Sequence, residues 1–218
     1  MNNLKIHNRQ NCTMLQLTFK YFIILMMLGS LLGCTTARNR YLPVFHDKPR
    51  ISTFGFSVSP PPGTDWFEKI DKGDLFYLKK TDFDKYIIYT RAHELSFSSG
   101  VNDIEELMSF VKLKKTGRYP ETHKNISYNF APIEKEGMCV QYQHNYEVHS
   151  STISNPAKGH PSRVTSNGLI CVHPAQPEKG IDIYYFERSP LRSVEVSYSD
   201  EAEQFLHSLT FIESRKRI

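Results

Sequence analysis

From Gly137 to His149 the chain reads Gly-Met-Cys-Val-Gln-Tyr-Gln-His-Asn-Tyr-Glu-Val-His. Met138, Val140, Tyr142, Tyr146 and Val148 fall in one phase, and Gln141, Gln143, Asn145 and Glu147 in the other. Successive side chains of a strand point to opposite faces, so this period of two predicts a strand with one apolar and one polar side. A strand of that length carries a dozen backbone donors and acceptors that need partners, which only a sheet supplies.

The rest of the chain supplies the neighbours. Runs rich in strand formers stand at Thr53–Val58, Trp66–Glu68, Leu75–Leu78 and Tyr86–Thr90, the last continuing to Phe97. Three more lie near 126–133, 164–173 and 181–188. Pro60-Pro61-Pro62-Gly63 ends the first run, because proline cannot donate to a ladder. Turns are expected at Asp71-Lys72-Gly73-Asp74, Glu136-Gly137 and Gln176–Gly180, with a long polar loop at Ser150–Arg163.

Two stretches have the helical period instead. Ile104, Leu107, Met108 and Val111 repeat at i, i+3, i+4 and i+7. Asn102 is the expected N-cap, Asp103, Glu105 and Glu106 suit the positive end of the dipole, and Gly117 is the expected stop. Ala202, Phe205, Leu206 and Leu209 repeat the pattern over 200–209. The expectation is an α+β fold, a mostly antiparallel β-sheet covered by two amphipathic helices. The closing phrase Phe205-Leu206-His207-Ser208-Leu209-Thr210-Phe211 resembles the final helix of PsbP-like α-β-α sandwich proteins, and the element order over 52–212 is loosely similar. That resemblance implies a non-catalytic binding or assembly factor.

The N-terminus is a separate matter. Residues 1–33 hold Lys5, Arg9 and Lys20 and no acid, followed by the apolar run Tyr21–Ser30. A basic n-region, an apolar h-region and a small residue at the cut form a secretory signal. The segment ends Leu31-Leu32-Gly33-Cys34, which resembles a bacterial lipobox, with Leu32 larger than the usual small residue there. The resemblance implies lipidation of Cys34, cleavage after Gly33, and an anchor of two or three acyl chains, since one chain holds only marginally. An uncleaved span would need about 17 apolar residues, and Tyr21–Ala37 barely reaches that between Lys20 and Arg38. Translation could also begin at Met14. Thr35 follows the cysteine, not the aspartate that often holds lipoproteins in the inner membrane, so the analogy points to the outer membrane, facing the periplasm. The expected organisation is a signal at 1–33, a lipid-anchored tether at 34–51 broken by Pro43 and Pro49, and one domain at 52–218.

Removing Lys5, Arg9 and Lys20 takes the 27 basic residues to 24 against 23 acidic ones, so net charge falls from +4 to +1. No nucleic-acid partner follows from that balance. Of the 4 cysteines, Cys12 leaves with the signal and Cys34 takes lipid, which leaves Cys139 and Cys171. Both stand in the less apolar phase of their strands. In an oxidising compartment, neighbouring strands would join them as a disulfide. A metal site at Cys171, His173 and Cys139 is the sharper alternative, but no CxxC or HExxH completes it.

Ser109-x-x-Lys112 and Lys115-Thr116-Gly117 match the penicillin-binding motifs in letters only, because here they share one helix and its end. No nucleophile elbow, P-loop or dinucleotide fingerprint is present, so no catalytic residue and no cofactor is assigned. Tyr142, Tyr146, Tyr184, Tyr185 and Tyr198 could line a small pocket, though sheet surface and core explain them as well. The expected role is a lipid-anchored envelope protein that contacts the membrane through its lipid and another envelope protein through its domain. The alternative is an envelope hydrolase whose site is assembled from distant residues. An immunity-type lipoprotein that blocks a toxin is a third reading.

Overall fold

The strands and helices of this chain are set out in a computed structural model, which describes residues 41–45, 48–83, 86–117, 120–149, 161–191 and 197–212. The apolar N-terminal run and Cys34 lie outside the described residues.

Eight strands form one antiparallel sheet. They are β1 (Leu42–Pro43), β4 (Trp66–Asp71), β5 (Asp74–Lys79), β6 (Ile87–Ser96), β7 (His123–Lys135), β8 (Gly137–Val148), β9 (Ser162–His173) and β10 (Gln176–Pro190). Their order is β1-β4-β5-β6-β10-β9-β8-β7. Two meanders, β4-β5-β6 and β7-β8-β9-β10, meet where β6 pairs with β10. A small three-stranded sheet, β11-β3-β2, is made of β2 (Arg50–Ile51), β3 (Phe56–Val58) and β11 (Thr210–Phe211). The sheet-rich α+β class expected from the alternation is the observed one.

The β4–β5 hairpin turns on Lys72 and Gly73, both at positive φ (49° and 93°). Two consecutive left-handed residues make the tight hairpin turn whose twist matches the strands, and glycine takes that conformation without steric cost.

Residues 41–51, expected as tether, contribute β1 and β2. Leu42 pairs with Glu68, and Arg50 with Val58. Proline is tolerated here because β1 is the edge strand.

Helix α1 spans Ile104–Lys115 and helix α2 spans Ser199–His207. The cap of α1 differs from expectation by one residue. Asp103, not Asn102, is the N-cap and accepts from the Glu106 N–H at 2.8 Å. Glu106 reaches back to the Asn102 N–H at 2.9 Å, so two orphan donors are satisfied reciprocally. At the other end Thr116, not Gly117, closes the helix by returning its N–H and hydroxyl to the Lys112 carbonyl.

Two clusters hold the fold. One joins Leu107 and Val111 of α1 to Val140, Tyr142, Ile170 and Val172. The other joins Ala202, Phe205 and Leu206 of α2 to Tyr77, Ile88, Leu169, Ile183 and Tyr185. Alternation places these strand residues on opposite faces of the same sheet, so each helix rests on its own face. On one side α1 packs over β8 and β7; on the other α2 packs over β10 and β6.

Candidate functional site

On the α1 face, three polar side chains from three elements meet under the end of the helix. Asp182 of β10 accepts from the Tyr142 hydroxyl of β8 at 2.7 Å and from the Lys115 ammonium of α1 at 2.7 Å. Lys115 also donates to the Tyr142 oxygen at 2.8 Å and lies over that ring, 4.0 Å from its centroid. Asp182 is 2% exposed and Tyr142 1%, while the Lys115 side chain keeps 19%. Burial pushes the Lys115 ammonium below its ordinary range, with the Asp182 carboxylate opposing that shift. Burial pushes the Tyr142 phenol up, and the neighbouring carboxylate adds to the rise. The knot therefore stays closed: a buried carboxylate needs both donors.

One backbone position makes the reach possible. Strand β9 lies between Tyr142 and Asp182, and at the crossing it carries Gly168, the register partner of both Tyr142 and Tyr184. A Cβ there would stand 2.6 Å from the Tyr142 hydroxyl and 2.6 Å from the Ile183 carbonyl. Glycine leaves the space through which the ring crosses the strand.

Beyond the knot, the same face runs out into stacked rings. Phe76 stacks on Tyr89 at 5.2 Å, and Tyr89 on Phe186 at 5.0 Å. Arg91 pairs with Asp74 beside them. His93, register partner of Asp182, is held below its ordinary pKa mainly by burial, with the Asp182 charge opposing.

The α2 face carries a different row. Register partners across the sheet run Asn129, Gln143, Asn167, Tyr185, Thr90, Tyr77 and Glu68. Helix α2 lies over the Tyr185 end of this row and leaves a cleft beside it. The cleft has a volume of about 420 Å³, and its lining includes Ile133, Gln141, Asn167, Leu169, Glu203 and Leu206. Burial pushes the Tyr185 phenol up to about 12, and the hydrogen bond from Asn167 opposes that rise. Its hydroxyl donates to Glu203 Oε1 at 3.4 Å.

A second buried charge ties α2 down. Lys79 donates to Glu201 Oε2 at 2.6 Å and to the Thr64 carbonyl at 2.9 Å. Trp66 Nε1 shares the same carboxylate oxygen at 2.7 Å.

Cys139 and Cys171 are register partners on β8 and β9, and their sulfurs stand at bonding distance, 2.14 Å. They lie on the Gln141/Gln143 side that the strand phase indicated, and at this end that side is core. Both are fully buried and belong to the α2-side core, because the run Asn167–His173 is buried on both faces. His173 turns its Nδ1 to the Ala175 N–H, 3.1 Å away, and packs its ring against Phe211. Among the described residues no group of three or more His, Cys, Asp or Glu is placed to hold a metal ion. Ser109 and Lys112 are exposed on α1 and meet no partner strand, whereas Lys115 turns under the helix. The five tyrosines separate: Tyr142, Tyr146 and Tyr184 share the α1 face, Tyr185 the α2 face, and Tyr198 flanks α2 against Tyr86. No single pocket gathers them.

In the sequence Lys115 stands out only through the Lys115-Thr116-Gly117 letter match, and Asp182 belongs to no motif. The available signal was an aspartate between Ile181 and Ile183, in phase with Tyr184. Asn167 and Glu203 gave no signal, since only the packing of α2 on the sheet brings them to one cleft.

No protein-family model matches the chain, and no curated protein matches it in sequence. Among solved structures, the Ran-binding protein Mog1p of Saccharomyces cerevisiae is similar at a TM-score of 0.39 and 8% identity, over 78% of this chain and 97% of that one. No helix of the described residues is long and apolar enough to cross a membrane.

Proposed function

We propose that this chain is a lipoprotein of the bacterial cell envelope, anchored through Cys34 and acting as a non-catalytic binding or assembly module. The observation that carries the reading is Leu31-Leu32-Gly33-Cys34, placed directly after a basic and then apolar leader. The Cys139–Cys171 pair at bonding distance supports it, because such pairs persist in oxidising compartments. In this reading residues 1–33 are removed and a short tether from Cys34 leads to the domain. The outer membrane, facing the periplasm, is the proposed address. The two helices act as amphipathic covers, one on each face, in keeping with the PsbP-like resemblance. The lipid sets where the domain works, and the domain surface selects an envelope protein.

Cys34→Ala tests the anchor. The expected result is an unprocessed precursor of higher mass and loss of the acylated N-terminal peptide. A Cys34→Ala protein processed and membrane-bound like the wild type overturns the reading.

The hydrolase alternative has its best residues in Lys115, Tyr142 and Asp182. Asp182 and Tyr142 are closed to a substrate, and Lys115 completes their hydrogen bonds, so this centre is better suited to holding the sheet and α1 together.

A further inference from the structure

The cleft beside α2 is lined by two carboxylates, Glu134 and Glu203, and by Lys135, His207 and the amides of Gln141 and Asn167. Asn167 forms part of its floor and is 7% exposed. It is the register partner of Tyr185 on the neighbouring strand. The Tyr185 hydroxyl donates to Glu203. Asn167 Oδ1 is a buried acceptor with no hydrogen-bond partner among the described residues. A buried carbonyl without a donor carries its full desolvation penalty, so the position is set for a group that arrives from outside.

The charges at the rim point the same way. Among the described residues Lys135 is the one ammonium lining the cleft, beside the His207 imidazole, and it is already committed to the carbonyls at the end of α2, donating to Leu206 O at 3.3 Å and His207 O at 3.1 Å. Burial pushes its pKa down. Among the described residues Glu203 receives only the long bond from Tyr185, so its carboxylate has room for a further donor. Ile133, Leu169 and Leu206 supply apolar wall between the acceptors and the opening.

We propose that this cleft binds an aliphatic primary ammonium group of the kind that ends a lysyl side chain. The ammonium meets the Glu203 carboxylate and Asn167 Oδ1, and its methylene stem lies against Leu169 and Leu206. An ammonium carries three donors and no acceptor, which matches the acceptors offered by Glu203, by Asn167 Oδ1 and, at the rim, by Glu134. The inference names a ligand class for the binding-module reading, but it does not depend on the anchor.

The test uses the full chain in detergent micelles, with Nα-acetyl-lysine methylamide as probe and Nα-acetyl-norleucine methylamide as its uncharged counterpart. Binding is read by saturation-transfer NMR and calorimetric titration. Expected are saturable binding of the lysine probe, at least ten-fold weaker binding of the norleucine probe, and at least ten-fold loss in Glu203→Gln. Asp74→Asn, on the opposite face, should leave binding unchanged, and near-UV circular dichroism should show each variant folded. No saturable binding by wild type overturns the proposal, as does Glu203→Gln binding the lysine probe as tightly as wild type. Cys34→Ala protein should bind the probe with wild-type affinity. If it binds but is still anchored, the lipoprotein reading fails alone. If it is unanchored and wild type also fails to bind, this inference fails alone.

Discussion

The two faces of the sheet are built from the same strands, one residue out of phase, and they treat polar groups in opposite ways. On the α1 face, Phe130, Tyr142, Gly168, Tyr184, Arg91 and Phe76 lie in register across five strand junctions. Charge there is closed into pairs, Lys115 with Asp182 and Arg91 with Asp74. On the α2 face the neighbouring row is Asn129, Gln143, Asn167, Tyr185, Thr90 and Tyr77. The polar groups of this row are uncharged, the buried pair Lys79–Glu201 standing apart from it, and several lack partners among the described residues: Asn167 Oδ1, Thr90 Oγ1 and Tyr77 Oη. A buried charge has to be paired where it stands, whereas a buried amide or hydroxyl can go unpaired at a cost that folding tolerates. The charged face is therefore the more rigidly determined one, and the amide face is the one with room for a ligand.

Asp182→Ala should break the contrast most severely. It removes the acceptor of the Tyr142 hydroxyl and the counter-ion of the Lys115 ammonium, and unfolding by urea should show a loss of about 3–5 kcal/mol. A loss below about 1 kcal/mol would mean the knot contributes little.

Next comes the covalent link of the α2 face. Replacing both Cys139 and Cys171 by serine opens a loop of 32 residues in the sequence. The chain-entropy account puts the loss at roughly 3–4 kcal/mol, to be read as a fall in the midpoint of denaturant unfolding. An unchanged midpoint would refute it.

Thr90→Val should act in the other direction. Thr90 is fully buried and its hydroxyl has no partner among the described residues, so an apolar isostere removes a desolvation cost. A gain of about 1 kcal/mol is expected. A loss of similar size would reveal a partner for the hydroxyl.

His93 brings pH into the comparison. Its folded pKa lies below the ordinary 6.5, so the unfolded chain binds more protons as pH falls through and below that value. Stability should therefore decline on acidification in this window and be regained as pH rises through 6.5. His93→Gln should flatten the pH dependence of the midpoint between the folded pKa and 6.5. An undiminished slope would assign it to other groups.

Glu203→Gln should change least. It leaves shape and core intact on a half-buried position, and a shift within about 0.5 kcal/mol is expected. A loss several times larger would mean that Glu203 holds the fold and is not reserved for a ligand.

The strands were legible because local pattern carries them. The alternation of Met138–Val148 and the periodicity of Ile104–Val111 reappear as β8 and α1 almost residue for residue. Edge strands β1 and β2 were not, since two-residue pairings have no period to read and Pro43 and Pro49 argued for a tether. The cap of α1 moved from Asn102 to Asp103 because both residues suit the role and only backbone geometry decides between them.

What the sequence determined by itself is the sheet-rich class, the two helices and the possibility that Cys139 meets Cys171. Each follows from periodicity along one segment. What the tertiary structure decided is which residues share a row across strands that are distant in the chain. Asp182 meets Tyr142 across Gly168, and Asn167 lies beside Tyr185 and Glu203, through pairings that span 40 residues or fewer of chain and no local pattern. Register sets those encounters, and register depends on how all the strands bury their faces at once.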